Sequence, residues 1–381
     1  MRSKGVIIAA ILLFCAAPCL ATAAELARLP YLQSPTSNSI RIAWYTSIDE
    51  TTTLSYRLAN SSTAPWRRVR PTRNELQHSV NLSPLLPDTR YSYRVLDASG
   101  QRLAQSTFST APRRGVGKTI RFAVIGDSGT GSTAQYRVAI QMQLWRPNLL
   151  IHTGDLVYPA GEEKDYTANF FLPYLSILPR IPLMPSIGNH DAMHVDDYLS
   201  VFLPPSESSK SATKRYYSFN YGNAHVVALD STLPLTSDST QRHWLEADLT
   251  KSTTRSQRWR IVFFHHPPFS AGPHGDTTTI QEELIPLFEQ HGVDAVFSGH
   301  DHAYERTARY SSTGDPHTSI LYVVSGGGGA DLYAQLGPHP LITKYESRYH
   351  FVGIRLSRSS LNLQAIADNG TVLDSFRLAK P

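Results

Sequence analysis

Five short polar clusters in this 381-residue chain each close an apolar run. They read GDSG at 126–129, GDLVY at 154–158, GNHD at 188–191, HHPP at 265–268 and GHDH at 299–302. Together they offer Asp127, Asp155, Tyr158, Asn189, His265, His300 and His302, all oxygen or imidazole donors suited to hard or borderline cations. Two ions need roughly ten to twelve donor positions between them, so four protein ligands each, with one carboxylate shared, leave room for water and substrate. Taken singly, each residue has a bland explanation: a Gly-Asp pair closes a turn, and a histidine satisfies a hydrogen bond. Five such clusters in one stretch of chain make coincidence a poor account. His300 and His302 stand two apart after VDAVFS, so one turn can present them to neighbouring ions.

Two competing motifs overlap the first cluster. GTGSTA at 129–134 imitates a dinucleotide fingerprint, but Asp127 would place a carboxylate beside the pyrophosphate. GDSG also surrounds the nucleophile of trypsin-like proteases, yet the chain lacks a two-barrel β pattern and assigns no base to Ser128.

The positioning elements follow from periodicity. From Leu26 to about Thr110, short alternating segments separated by Pro, Gly, Asn and Ser read as strands: 39–47, 53–59, 78–82, 89–97 and 105–110. An all-β sandwich is the economical reading. Ala111–Lys118, with Pro112 and two glycines, reads as a linker. Beyond Thr119 the texture becomes strand alternating with helix, which predicts a layered α/β domain with polar clusters at its strand ends. Helices are expected over Thr133–Trp145, with Val138, Ile140, Met142 and Leu144 as the apolar set, and around Glu163–Phe171, Ser239–Leu249 and Ile280–Gln290. A hairpin is expected to turn at Gly222-Asn223, and three strands are expected in Tyr349–Leu378.

Composition sets outer bounds. Arg2 and Lys4, the apolar run Val6–Ala17 and Ala21-Thr22-Ala23 read as a cleavable export signal over 1–23, too short to span a membrane. Both cysteines, Cys15 and Cys19, leave with it, so thiolate chemistry and Cys-ligated zinc are excluded. Removing Arg2 and Lys4 takes the formal charge from +5 to +3, and no basic block marks a nucleic-acid surface. Localisation is therefore expected to be periplasmic or secreted. Oligomeric state is not legible.

The order GDxG, GDxxY, GNHD, H-x-P and GHxH is similar to that of the metallophosphoesterases, and Tyr158 makes the set resemble the purple acid phosphatases. QRHWLEADL at 241–249 and AYER at 303–306 resemble the same family. LLPDTRYSYRV at 85–95 resembles the fibronectin type III segment whose tyrosine pins the sandwich corner, here Tyr91. The resemblance implies an α+β two-domain chain. A fibronectin III-like β-sandwich over 24–111 would precede a layered αββα metallophosphatase sandwich over 119–381. It implies Fe(III) held by Asp127, Tyr158 and His302, with Asp155 bridging. Fe(II), Zn(II) or Mn(II) would then be held by Asp155, Asn189, His265 and His300.

The implied reaction is acid phosphatase chemistry, the hydrolysis of phosphomonoesters by in-line attack of metal-bound hydroxide. Histidines at the positions of His190 and His274 contact phosphate in relatives and can protonate the leaving group. Asp191 either orients a ring or caps a turn. Expected substrates are small phosphate esters or phosphoproteins. Phosphodiester hydrolysis, for instance of cyclic nucleotides, is the alternative on the same metals. A non-catalytic surface-binding protein is a third reading, and lost ligands would mark it; none is lost.

Overall fold

The computed structural model describes residues 25–380 apart from 62, 72–74, 206–210, 212 and 254–256. The expected leader at 1–23 lies outside the described residues.

The first seven strands are β1 (Leu26–Gln33), β2 (Ile40–Glu50), β3 (Thr53–Leu58), β4 (Arg67–Val69), β5 (Glu75–Leu82), β6 (Arg90–Leu96) and β7 (Arg102–Ser109). They form two antiparallel sheets, β1-β2-β5 and β4-β3-β6-β7, as the alternating pattern predicts. Period-two alternation sends Leu32, Ile40, Ile42 and Trp44 into the core between these sheets. The residues that alternate with them, Tyr31 and Ala43, belong to a core of the following domain. One sheet therefore buries both faces. Tyr31 also donates its hydroxyl to the Val201 carbonyl at 2.8 Å, tying the sandwich to the rest of the chain. At the corner, the Tyr91 phenol oxygen accepts the Leu86 amide at 2.8 Å, as expected from the 85–95 segment.

The second part runs β8 (Ile120–Ile125), α1 (Thr133–Trp145), β9 (Leu149–His152), α2 (Glu163–Tyr166) passing into a π-helical turn (Thr167–Phe171), and β10 (Leu183–Pro185). Next come α3 (Asn189–Ala192), α4 (Val195–Val201), β11 (Tyr217–Tyr221), β12 (Ala224–Ala228), α5 (Thr240–Thr253), β13 (Trp259–Phe263) and α6 (Thr278–Gln290). The chain closes with β14 (Ala295–Ser298), β15 (Tyr304–Thr307), β16 (Leu321–Ser325), β17 (Ile342–Glu346), β18 (His350–Leu356), β19 (Ser360–Ala367) and β20 (Val372–Ala379).

These strands make a six-stranded sheet, β10-β9-β8-β18-β19-β20, and a seven-stranded sheet, β11-β12-β13-β14-β16-β15-β17. Ile120, Phe122 and Val124 face the second sheet, whereas Ala123 and Ile125 face outward. On that outer face Val138 and Met142 of α1 cover the first sheet. Leu245 and Leu249 of α5, with Ile280, Leu284 and Phe288 of α6, cover the second. Helix, sheet, sheet, helix is the resulting order, the layered sandwich expected from the alternating texture.

One helical expectation needs correcting. Val138 and Met142 are buried, but Ile140 and Leu144 are 54% and 69% exposed. The four residues are spaced two apart, so a 3.6-residue repeat puts alternate members on opposite faces.

Candidate metal centre

Three of the expected ligands occupy left-handed backbone. Asp127, Asp155 and His300 have φ of 56°, 54° and 72°, half of the six described non-glycine residues with positive φ. Such conformations cost of order 1–3 kcal/mol each and persist where the surroundings impose them. Each residue comes two or three positions after its strand, β8, β9 or β14, where the chain must leave the sheet and aim a side chain back over its edge. Gly154 takes φ +104°, and a Cβ there would lie 2.7 Å from the Gly188 nitrogen and 2.8 Å from His265 Nδ1. That close approach brings the Asp155, Asn189 and His265 segments together.

The seven side chains converge as two groups joined by one carboxylate. In the first, the Tyr158 hydroxyl lies 3.4 Å from Asp127 Oδ1 and 3.1 Å from His302 Nε2. In the second, His265 Nε2 lies 2.9 Å from Asn189 Oδ1 and 3.2 Å from His300 Nδ1. Asp155 Oδ2 touches both, 3.1 Å from the Tyr158 hydroxyl and 3.3 Å from His265 Nε2.

Backbone groups hold the donor atoms in place. The His300 amide donates to the Asp127 carboxylate at 3.0 Å, and the His190 amide donates to Asp155 Oδ1 at 2.9 Å. His265 Nδ1–H donates to the Thr153 carbonyl at 3.0 Å, and His302 Nδ1–H to the Asp331 carbonyl at 2.7 Å. A carbonyl only accepts, so each Nδ1 keeps its proton and each Nε2 is the ring nitrogen that faces the cluster.

The electrostatics of this cluster ask for cations. Burial pushes the Asp127 carboxyl well above its ordinary range, and the Asp155 charge adds to the shift. Burial also acts against the charged form of Asp155, but the adjoining His265 pulls that carboxyl below its ordinary range. Burial opposes a proton on His265, yet Asp155 and Asp127 raise it to about 9. His300 is pushed down to about 2 by burial and by neighbouring imidazoles, and His302 is lowered chiefly by burial. The Tyr158 phenol is raised well above its ordinary value by burial and by the carboxylates of Asp127 and Asp155. These opposing shifts come from carboxylates, imidazoles and a phenol crowded into one buried space. Asp127, Asp155 and His265 each direct a ligand atom to within 4.8 Å of the others. Oxygen and imidazole donors crowded in this way fit hard or borderline ions, and the shared position of Asp155 fits two.

His190 and His274 stand at the rim. His190 packs its ring 4.6 Å from that of Tyr158, with Nδ1 against the Pro159 carbonyl. His274 has its ring centroid 3.9 Å from His300 and its Nδ1 3.0 Å from Asp301 Oδ1. Their side chains are 34% and 40% exposed, so solvent and a ligand can reach both.

Asp191 caps a turn and, among the described residues, bonds to no ring. Its carboxylate accepts the Leu156 and Gly188 amides, each at 3.0 Å, locking the Asp155 loop to the Asn189 loop. Ser128 does hydrogen-bond a histidine, His152 Nε2 at 2.9 Å, but both residues are fully buried. The Gly154 amide donates to His152 Nδ1, so the proton sits on Nε2 and points at the serine. That tautomer cannot take the hydroxyl proton, and no nucleophilic pair results.

Sequence reasoning missed two contributors. Asp301 lies inside the GHDH cluster, and its place between two histidines was a usable signal. Tyr333 stacks on His302 with centroids 4.1 Å apart and planes 9° apart, and nothing in its local sequence marks it.

The family model described as calcineurin-like phosphoesterase matches residues 120–304, and that described as purple acid phosphatase, N-terminal domain, matches residues 29–110. Fold and sequence thus define a metallophosphoesterase domain behind a β-rich N-terminal domain. Within that class the chain is similar to the purple acid phosphatases. Purple acid phosphatase 21 of Arabidopsis thaliana is 32% identical over 263 residues, covering 66% of this chain and 58% of the relative. Probable purple acid phosphatase 20 of the same plant is 25% identical over 362 residues, covering 88% of this chain and 80% of the relative. The chain spans about three-fifths of the length of purple acid phosphatases 21 and 22, its matches covering 58% and 64% of them. The solved purple acid phosphatase PPD1 from yellow lupin seeds shares the fold, with a TM-score of 0.79 at 20% identity over 92% of this chain and 74% of its own.

Proposed function

We propose that this chain hydrolyses phosphomonoesters at a dinuclear metal centre. The observation that carries the proposal is the pair of donor groups, Asp127–Tyr158–His302 and Asn189–His265–His300, linked by Asp155. The first group, holding a phenol, suits Fe(III); the second suits a divalent ion, Fe(II), Zn(II) or Mn(II). When bound, the ions supply Lewis acidity and a water whose pKa falls well below its bulk value near 15.7.

The remaining steps belong to the chain. The amides of His300 and His190 hold Asp127 and Asp155 in one orientation, so the donor set does not reorganise as charge shifts. Thr153 and Asp331 fix the tautomers of His265 and His302 through their carbonyls. His190 and His274, exposed at the rim, flank the space where a phosphoryl group would sit. With Nδ1–H given to Asp301, His274 has Nε2 free to carry the proton that the departing alkoxide needs. An alkoxide leaving a phosphate dianion gains most from such an acid, which favours monoesters over diesters.

On this reading the chain divides into 24–111 and 119–381 and is exported by a signal over 1–23. Small phosphate esters or phosphoproteins are its substrates. Among the described residues no helix is long and apolar enough to cross a membrane.

Elemental analysis of the purified protein beside a phosphate-release assay tests the proposal. Close to two metal ions per chain with monoesterase activity is expected. Metal-free protein that stays active, or loaded protein that cleaves only diesters, would overturn it.

A further inference from the structure

A cavity of about 600 Å³ opens where the N-terminal sandwich meets the catalytic domain. Its walls carry four arginines: Arg90 at the start of β6, Arg121 on β8, Arg146 just past α1, and Arg180. None of the fourteen residues lining it is a carboxylate. Arg90, Arg121, Arg146 and Arg180 make no ion pair among the described residues. Among the described residues, the one hydrogen bond from their guanidinium groups runs from Arg90 Nη2 to Thr107 Oγ1 at 3.1 Å. A fifth guanidinium stands close by, since Arg355 of β18 pairs directly with Arg121 in the sheet register.

Uncompensated like charge in a concave, partly desolvated place is unfavourable. Arg121 responds to it: burial, then the charges of Arg355 and Arg146, lower its pKa. The backbone of Arg146 is left-handed, with φ 54°, a conformation that only asparagine, aspartate and glycine adopt readily. Several arginines elsewhere do pair with acids, as in Arg28–Glu163, Arg215–Asp230 and Arg306–Asp374. Planar, permanently charged forks gathered from two domains match the geometry of phosphate oxygens. Asn148, Gln143 and Ser176 add neutral polar groups to the same wall. The volume lies within the roughly 300–1,000 Å³ usual for small-molecule sites, larger than a single orthophosphate needs.

We propose that this interdomain cavity binds a small polyphosphorylated anion, at a site separate from the metal centre. The separation follows from the strand: Arg121 lies near the start of β8 and Asp127 two residues beyond its far end, and the strand between puts about 13 Å there at roughly 3.3 Å per residue. Arg90 and Thr107 come from the sandwich, and Arg121 and Arg146 from the catalytic domain. The bound anion therefore clamps the two domains.

Inositol hexakissulfate, which no phosphatase can cleave, serves as the probe with the metal-loaded full chain. Calorimetry should show one site, and a melting scan should show a raised Tm. Arg121→Gln with Arg146→Gln should weaken binding at least tenfold and remove the Tm rise, while Arg68→Gln with Arg377→Gln, equal in charge loss but elsewhere, should not. Arg180→Gln, an exposed single change, should weaken binding severalfold and guards against misfolding of the double variant. Saturating orthophosphate at the metal centre should leave binding intact. Equal weakening in both double variants would mean diffuse charge attraction, and loss of binding under orthophosphate would place the probe at the catalytic site. Either result overturns the proposal.

Discussion

Asp301 holds His274 at two points, accepting from the ring Nδ1 at 3.0 Å and from the backbone amide at 3.2 Å. The carboxylate is fully buried, and its other oxygen accepts the hydroxyl of Ser270 at 2.5 Å. The same serine oxygen lies 2.6 Å from Oε1 of Glu305, whose carboxyl burial pushes up to about 7. A rim histidine is thus anchored to a packed polar network beneath it. His274→Ala should lower kcat by ~10²–10⁴-fold on alkyl phosphates, the span of general-acid effects. It should cost much less on aryl phosphates with good leaving groups. Asp301→Asn should show the same leaving-group dependence at ~10–100-fold, the usual effect of losing an orienting partner. Equal losses on both substrate classes would remove the acid role.

Tyr158 tests the ferric assignment. Burial and two carboxylates oppose its ionisation, so a phenolate there requires a strong cation beside it. The purified protein should show a visible charge-transfer band that Tyr158→Phe abolishes. A colourless, fully active protein containing only zinc would exclude Fe(III) and leave hydrolysis standing.

Gly154 tests the convergence of the loops. An alanine would strain φ +104° and push against the Gly188 nitrogen and His265 Nδ1. Gly154→Ala should lower metal content below one ion per chain and reduce stability by at least about 2 kcal/mol. Metal analysis and urea unfolding measure both. Full metal occupancy with unchanged stability would contradict the close approach.

His350 tests acid stability away from the site. It is fully buried, with Nδ1–H on the Arg348 carbonyl at 2.8 Å, and burial lowers its pKa from 6.5 to about 4. Between those values the unfolded chain takes up a proton that the folded chain refuses, so stability falls as pH drops through this window and levels off below about 4. The loss attributable to this ring is about 3 kcal/mol. His350→Gln keeps a donor for Arg348 and should flatten the fall between pH 6.5 and 4.5 in urea unfolding. His152 and His266, held down to about 3 mainly by burial, leave a residual slope. An unchanged pH dependence would exclude His350 as a contributor.

Much of the candidate site was readable without coordinates because its donor residues are local events. An apolar run followed by a donor, with a glycine between them in every cluster but HHPP, marks a strand that ends and must turn, and that pattern pointed to Asp127, Asp155, Asn189, His265, His300 and His302. The Tyr91 corner and the hairpin between β11 and β12 were legible for the same reason. Helix faces were less so: Ile140 and Leu144 are apolar yet exposed, because only packing decides which side of α1 meets the sheet.

Sequence alone determined which residue types stand ready at the strand ends, and hence that metal-assisted phosphate chemistry was the reading to test. The tertiary structure decided who holds them. Thr153 and Asp331 act through carbonyls that any residue possesses, and Tyr333 reaches His302 from a loop without periodicity. The clustering of Arg90, Arg121, Arg146 and Arg180 likewise depends on how two domains dock. Sheet order is the physical reason: β8 lies between β9 and β18, a strand more than two hundred residues later, and no local pattern encodes such a neighbour.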